Sequence, residues 1–151
     1  MSITELIEKY KPGESEVKEY LRAAGYIVED VSDNPQYWDK DIDLIVTNPS
    51  TNKRVSIEVK YDTRIYRTKN FFIEVANIRS KEGKGWFHFC EADYIYYLDA
   101  QNMYVYIFKF TELEDYINEY GARLELKSTN DGSWGYLLPL KDAPVFQSFR
   151  L

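Results

Sequence analysis

The sequence predicts an α/β or α+β protein built around a mixed β-sheet, because of the order of its segments and the spacing of apolar residues within them. A helical pattern is followed by three segments with the composition of strands, and further strands and one helix come after them. The length of 151 residues, 44% of them hydrophobic, fits one domain over 1–151 with a substantial core. We therefore expect a central mixed sheet flanked by helices.

Two helices and a strand are predicted for the N-terminal part, over residues 2–10, 14–24 and 26–31. The first helix rests on the capping-box spacing of Ser2 and Glu5. The second rests on apolar residues at helical spacing and on Gly25, which suits the position just past a helix end. Residues 32–40 contain turn formers and are expected to form a loop.

Two further strands, over 42–46 and 54–60, flank a cluster of turn formers at 47–53 that suits a hairpin loop. Side chains alternate along a strand, so Glu58 and Lys60 share one face while Ile57 and Val59 point to the other. If the two strands pair, Asp43 lies on the same face as Glu58. Two acids and an ammonium are thus expected to converge.

Strands and one helix are also predicted for the rest of the chain. The strands cover 71–75, 94–98, 103–110, 123–126 and 134–140, and the helix covers 111–120. Residues 103–110 are apolar on both faces, which is typical of a central strand covered on both sides. The last two strands are expected to form a hairpin across 130–132. A polar, basic connection is expected over 61–70 and a mobile loop over 80–85.

Charge is distributed unevenly along the chain. The net charge is -6, which argues weakly against a general nucleic-acid binder. Residues 53–84, however, contain nine basic and four acidic side chains, a net charge of +5. A basic stretch that begins at the predicted acid cluster would hold a polyanion against it. Taken alone, the same stretch fits a solvated surface loop equally well.

The use of cysteine and histidine restricts the chemistry and the compartment. Cys90 and His88 are single residues of their kinds, which excludes an internal disulfide and a Cys/His zinc cage. We therefore expect a reducing, cytoplasmic setting. No segment has the apolar length of a membrane span, and the N-terminus lacks the order of a signal peptide, so no membrane association is expected.

The converging side chains suggest metal-dependent phosphodiester hydrolysis. Carboxylates such as Asp43 and Glu58 are the ligands that Mg²⁺ prefers, with Mn²⁺ as a substitute. The metal would polarise the phosphoryl group and acidify a water molecule. Lys60 would orient that water, help to deprotonate it, or neutralise charge at phosphorus. Glu16 on the preceding helix is the candidate third acid, and Glu19 is the alternative.

Other side chains near these residues have competing interpretations. Asp41 competes with Asp43 as a ligand, since both fall on one face of the strand, and Asp43 is better placed inside it. Glu74 is expected to form an ion pair on an edge strand rather than to orient the lysine. The tyrosines are expected to pack in the core and at its rim, and His88 is expected to be structural. Trp38, Trp86 and Trp134 could stack on unpaired bases, but burial is the expectation for them.

Residues 14–98 resemble the PD-(D/E)XK nuclease superfamily, which includes archaeal and phage Holliday-junction resolvases. The resemblance rests on the α-β-β-β order, on Asp41-Ile42-Asp43-Leu44-Ile45 and on Ile57-Glu58-Val59-Lys60. Residues 68–74 resemble a Thr-Gly-Asn-x-x-Ile-Glu segment of some members, and residues 91–94 resemble a Thr-x-Ala-Asp-Tyr segment. The chain departs from the family pattern at Ile42, where a proline is common, and at Lys69, where a glycine is usual.

The resemblance implies a restriction-endonuclease-like core of αβββαβ order. It makes Asp43 and Glu58 metal ligands and Lys60 the catalytic lysine, with Glu16 as the helix glutamate of many members. The expected activity is that of an Mg²⁺-dependent DNA endonuclease without an organic cofactor, encoded by a phage or mobile element, with branched DNA as one candidate substrate. A homodimer is expected, because two nicks in a duplex need two sites.

The candidate DNA contacts are basic or polar residues just after the catalytic lysine: Arg64, Arg67, Lys69 and Asn70. Two other functions remain open. A nuclease fold that retains its acids without turnover would serve as a DNA-binding or assembly module. A regulator would instead use its acidic surface to bind a basic protein.

Overall fold

The computed structural model describes residues 13–151 and contains strands of two separate sheets. The strands are β1 (Ile27–Asp30), β2 (Leu44–Thr47), β3 (Arg54–Asp62), β4 (Asn70–Asn77), β5 (Tyr94–Asp99), β6 (Tyr104–Lys109), β7 (Glu125–Ser128), β8 (Ser133–Pro139) and β9 (Gln147–Arg150). The helices are α1 (Glu14–Ala23), α2 (Pro35–Trp38), α3 (Ile65–Thr68), α4 (Trp86–Phe89) and α5 (Phe110–Tyr120). Short 3₁₀ turns span Lys81–Gly83 and Gly121–Arg123.

The larger sheet is mixed, as the sequence predicts, and has the strand order β1-β2-β3-β5-β6-β9. Its strands pair antiparallel except for β3 and β5, which run parallel with Ile57 opposite Tyr94. The smaller sheet is antiparallel, with the order β4-β8-β7. The chain therefore leaves the larger sheet after β3 and returns to it at β5, which lies beside β3.

The larger sheet separates two apolar clusters. On one face, Val17 and Leu21 of α1 pack in a cluster that includes Leu44, Ile57 and Leu98. On the other face, side chains from α5 and the smaller sheet form a second cluster with β5 and β6. Its most deeply buried members include Phe71, Ile95, Phe108, Leu113 and Leu138. The sheet is thus covered by a helix on one side and by a helix and a second sheet on the other.

Most predicted elements are present, with shifts of one or two residues at their ends. α1 ends before Gly25, whose φ of 95° explains the preference for glycine at this position. β2 begins two residues later than predicted, because Asp41 has a left-handed φ of 55° that delays the extended run. The hairpin of β7 and β8 is confirmed. The helix predicted over 2–10 lies outside the described residues.

Four expectations about elements need correction. The connection expected over 61–70 contains the end of β3 and the short helix α3. The predicted loop 32–40 contains α2, which Pro35 begins and Asn34 caps by accepting a hydrogen bond from the backbone N–H of Gln36. The segment 80–85 contains a 3₁₀ turn. β9 was not predicted at all, because its four residues show no alternation strong enough to separate a strand from a loop.

Two further expectations concern burial. β6 is an inner strand with apolar residues on both faces, as predicted: Val105 and Ile107 belong to one cluster and Phe108 to the other. The expected burial of the tryptophans is wrong for Trp38 and Trp134, which are 63% and 42% exposed.

In the part of the chain that the structure describes, no helix combines the length and the apolar character that crossing a membrane requires.

Candidate active site

Asp43 lies directly before β2, and its carboxylate is hydrogen-bonded to the carboxyl group of Glu58 on β3. The last registered pair of these strands is Leu44 with Ile57, and the backbone N–H of Asp43 donates to the carbonyl of Ile57 at 2.9 Å. Asp43 and Leu44 thus both lie opposite Ile57, so the regular register of β2 and β3 ends at this point. Oδ2 of Asp43 accepts a hydrogen bond from the backbone N–H of Val59 at 2.9 Å, which fixes the carboxylate at this point.

Lys60 lies on the same face and binds two acids. Its Nζ atom is 3.0 Å from Oε1 of Glu58 and 2.9 Å from Oδ2 of Asp41. Asp41 lies two residues before Asp43, outside β2, and reaches Lys60 through its side chain. The structure thus brings together the three residues that the sequence predicts, Asp43, Glu58 and Lys60, and adds Asp41 as a partner of the ammonium.

Burial and crowding of like charges shape the electrostatics of the pair. The Glu58 side chain is only 8% exposed, and burial raises the pKa of its carboxyl well above the ordinary value of 4.5. The Lys60 ammonium opposes this rise in pKa, whereas the charges of Asp41 and Asp43 and a hydrogen bond with Asp43 add to it. Two carboxylates therefore lie side by side in a poorly solvated place.

The ammonium of Lys60 is stabilised in its charged form. Burial alone would lower the pKa of Lys60, but the carboxylates of Glu58 and Asp41 outweigh burial and raise the pKa above its ordinary value of 10.5. Because the group stays protonated near neutral pH, it can donate hydrogen bonds and neutralise developing negative charge. Lys60 is therefore better suited to these two roles than to abstracting a proton from water.

Trp86 belongs to the site through Lys60, a role that the sequence does not indicate. The Nζ atom of Lys60 lies 4.8 Å from the centroid of the Trp86 ring, within the range of a cation–π contact. Trp86 is the first residue of α4, and its backbone N–H donates to Oε1 of Glu74 on β4 at 3.2 Å. No periodic signal marks this residue, because the contact joins segments 26 positions apart in the sequence.

Glu74 does not have the expected role. Instead of an ion pair, which it lacks within residues 13–151, its carboxylate accepts hydrogen bonds from the backbone of Trp86 and from Oγ of Ser133, the latter at 2.9 Å. β4 is an edge strand, as expected. Glu74 connects β8 to the start of α4 and therefore supports the segment beside the lysine.

Glu16 is engaged elsewhere. Its Oε2 atom accepts a hydrogen bond from the backbone N–H of Gly13 at 2.5 Å, so the Glu16 side chain caps the start of α1. α1 packs on the face of the larger sheet that carries Ile57, whereas Glu58 points to the opposite face. Glu19, the alternative third acid, is exposed on the same helix. The structure therefore does not join a helix glutamate to Asp43 and Glu58.

The carboxylates that do meet form a small oxygen donor set. Within residues 13–151, no group of three or more His, Cys, Asp or Glu side chains is arranged to hold a metal ion. The adjacent carboxylates of Asp43 and Glu58 nevertheless suit a hard divalent cation, which commonly takes one or two protein carboxylates and completes its shell with water and phosphate oxygens. The chemistry of the donors fits Mg²⁺ or Mn²⁺ on these terms.

The candidate DNA contacts surround α3, just beyond the C-terminal end of β3. Arg64, Arg67 and Lys69 are exposed, and none forms an ion pair within the part of the chain described here. Asn70, at the start of β4, is half-buried. Asp62 shapes the segment, since its Oδ1 atom accepts hydrogen bonds from the backbone N–H groups of Arg64 and Ile65. Three unpaired cations are thus presented to solvent.

Cys90 lies beside the acids without a nucleophilic role. Its Sγ atom is 4.0 Å from the carbonyl oxygen of Asp41, and burial raises the pKa of the thiol to about 12. At neutral pH the side chain is a protonated, buried thiol. His88, by contrast, is exposed on α4 and its ring contacts Phe87 edge-to-face.

Comparisons of the chain with protein-family models, with curated proteins and with solved structures found no match.

Proposed function

We propose that the protein is a metal-dependent DNA endonuclease with a restriction-endonuclease-like core of the PD-(D/E)XK type. One observation carries the proposal: the carboxyl groups of Asp43 and Glu58 are in contact, and Lys60 lies on the same face of β3 as Glu58 with its ammonium 3.0 Å from Glu58. This is the arrangement that the Asp43 and Glu58-Val59-Lys60 motifs predict.

Asp43 and Glu58 are proposed to hold Mg²⁺ or Mn²⁺, with water and substrate phosphate as the remaining ligands. The bound metal would supply positive charge to the phosphoryl group and acidify the attacking water. Lys60 would donate hydrogen bonds to the scissile phosphate and neutralise the charge that develops on it. The hydrogen bond from Val59 keeps one oxygen of Asp43 oriented throughout.

Arg64, Arg67 and Lys69 are proposed to contact the phosphates that flank the scissile bond, with Asn70 as a further polar contact. Their exposure and lack of ion-pair partners in the described residues support this role. We propose a homodimer acting on duplex or branched DNA in the cytoplasm, in the setting of a phage or mobile element. Loss of each arginine or lysine should lower the slope of log affinity against log salt by about one.

Cleavage assays test the proposal. Labelled linear, nicked, flapped and four-way DNAs are incubated with the purified protein in Mg²⁺ or Mn²⁺ and in excess chelator. We expect cleavage that chelator abolishes and that Asp43→Asn, Glu58→Gln or Lys60→Met lowers at least a hundredfold, an effect on the order of 3 kcal/mol in the barrier.

A matched control is Glu29→Gln, which neutralises an exposed acid on β1 whose nearest cation, on Arg54, is 3.7 Å away. Because Glu29 lies outside the acid site, this variant should cleave like the unmodified protein. Full activity of the site variants, or cleavage that persists in chelator, would refute the endonuclease.

A catalytically silent DNA-binding or assembly module is the second candidate. One observation favours it: the Lys60 ammonium already pairs with both Glu58 and Asp41, so one of the two proposed metal ligands is engaged without a metal. Salt-dependent DNA binding that is unaffected by chelator, together with no turnover of any of the four substrates, would support this module against the enzyme.

A further inference from the structure

We infer that Trp86 is a positioning residue for Lys60, and that the smaller sheet sets the place of Trp86 through Glu74 and Ser133. The contact that motivates this inference is the 4.8 Å separation between Nζ of Lys60 and the centroid of the Trp86 ring. For its kinetic consequence the inference rests on the proposed endonuclease. Its structural part is tested independently of that activity.

A lysine side chain needs more than ion pairs to hold one position here. Its four-carbon stem is flexible and its ammonium is a point charge without a preferred plane. Glu58 is shared, because its carboxylate is also proposed to bind the metal, and a second cation weakens its hold on Lys60. The face of the Trp86 ring attracts the ammonium. Because the ring is neutral and is not a metal ligand, a bound divalent ion does not compete for it. The ring therefore keeps Lys60 in place, together with Asp41, when Glu58 is engaged.

The ring itself is held through the backbone of its own residue. The N–H of Trp86 donates to Oε1 of Glu74 at 3.2 Å, and Oε2 of Glu74 accepts from Oγ of Ser133 at 2.9 Å. Nδ2 of Asn77 donates in turn to Oγ of Ser133 at 3.3 Å. A half-buried carboxylate with a partner on each oxygen has little freedom to rotate. The start of α4 is thereby tied to β4 and β8.

Gly85 makes this approach possible. A Cβ atom at Gly85 would lie 2.5 Å from the carbonyl oxygen of Glu74, a backbone atom that has no room to move aside. Only glycine lets the chain pass so close to β4 immediately before Trp86. The close passage, the Glu74 hydrogen bonds and the ring contact form one continuous link from the β8 strand to the lysine.

Nuclear magnetic resonance provides the direct test. The ε-CH₂ protons of Lys60, assigned by their loss in Lys60→Arg, should resonate upfield of the other lysines because the face of the indole ring shields them. Trp86→Leu should remove the upfield shift, and Trp86→Phe should keep part of it. Phe146→Leu is the matched control, because it removes a comparable contact, 4.3 Å from Nζ of Lys109, outside the site.

Kinetics on a cleaved DNA substrate provide the second test. We expect Trp86→Leu to lower kcat about tenfold with little change in KM, and Trp86→Phe to restore most of the loss. Glu74→Ala and Ser133→Ala should lower kcat in the same direction and shift the Lys60 resonance partway. Phe146→Leu should leave kcat unchanged. Circular dichroism of each variant checks that the fold is retained.

The outcomes separate the two proposals. An ordinary Lys60 resonance in the unmodified protein, or one unaffected by Trp86→Leu, overturns the positioning role even if DNA is cleaved. A shifted resonance in a protein that cleaves none of the substrates supports the positioning of Lys60 and overturns the endonuclease. A resonance that moves while kcat stays constant overturns the kinetic consequence of the contact.

Discussion

Asp43 and Val59 are joined by a hydrogen bond between a side chain and the backbone, in which Oδ2 of Asp43 accepts the N–H of Val59 at 2.9 Å. The bond lies just beyond the last registered pair of β2 and β3. The carboxylate therefore continues the hydrogen-bond ladder where the backbone of β2 has stopped. One oxygen of Asp43 thus has a structural role, so substitutions of this residue can separate an effect on stability from an effect on cleavage.

Substitutions of Asp43 should separate stability from activity. Asp43→Asn keeps a side-chain oxygen that can accept the Val59 N–H, so its unfolding free energy should stay within about 0.5 kcal/mol of the unmodified protein. Asp43→Ala leaves that N–H without its partner and should cost about 1–3 kcal/mol. Both should lose cleavage. Urea denaturation measures the difference, and equal stabilities of the two variants would contradict the structural role of the hydrogen bond.

Phe71 should be among the most costly residues to truncate. It is fully buried on β4 and makes edge-to-face contacts with Tyr97, Tyr106 and Phe108, which belong to the other sheet. Phe71→Ala should lower the unfolding free energy by about 3–5 kcal/mol, because it leaves a cavity between the sheets. Phe146→Ala, at a half-exposed position, should cost under about 1 kcal/mol. A mild effect of Phe71→Ala in denaturant titrations would show that the two sheets do not depend on this contact.

Cys90 should be unreactive in the native protein. Burial raises the pKa of its thiol to about 12, so the thiolate is rare at pH 8. We expect the reaction with a disulfide reagent such as Ellman's to be at least a hundredfold slower in buffer than in urea, where the thiol is exposed and regains its ordinary acidity. Absorbance of the released chromophore measures both rates. Similar rates in the two conditions would contradict the burial of this side chain.

Acid should weaken the fold through Asp30. Burial alone would raise the pKa of this carboxyl, but hydrogen bonds from Lys18 and Ser32 outweigh burial and lower the pKa from 3.8 to about 2. A depressed pKa means that Asp30 contributes stability above about pH 4, and that this contribution disappears as the pH falls towards 2.

Asp30→Asn should therefore lower the unfolding free energy at pH 7, by less than about 1 kcal/mol because the pair is partly exposed. The difference from the unmodified protein should vanish near pH 2. Thermal unfolding at pH 7, 4 and 2.5 measures it, with Asp33→Asn on the exposed loop as the control. A difference that stays constant with pH would exclude this linkage.

Local sequence patterns determined most of the helices and strands and three residues of the candidate site. The helical spacing before Gly25 predicted α1, and the alternation within β3 placed Glu58 and Lys60 on one face, because both signals depend only on the repeat of a single element. The pairing of β2 with β3 followed from a short turn between neighbouring segments. The convergence of Asp43, Glu58 and Lys60 could consequently be predicted from the sequence alone.

Contacts between distant segments were decided by the tertiary structure alone. The parallel insertion of β5 beside β3, the transfer of β4 to a second sheet and the ring of Trp86 over Lys60 each join segments that no periodicity relates. Glu16 shows the same limit. Its place on a helix was predictable from the sequence. Whether it caps that helix or joins Asp43 and Glu58 depends on which face of the sheet α1 covers, and only the tertiary structure decides this. Burial and packing, which are properties of the whole chain, set those choices.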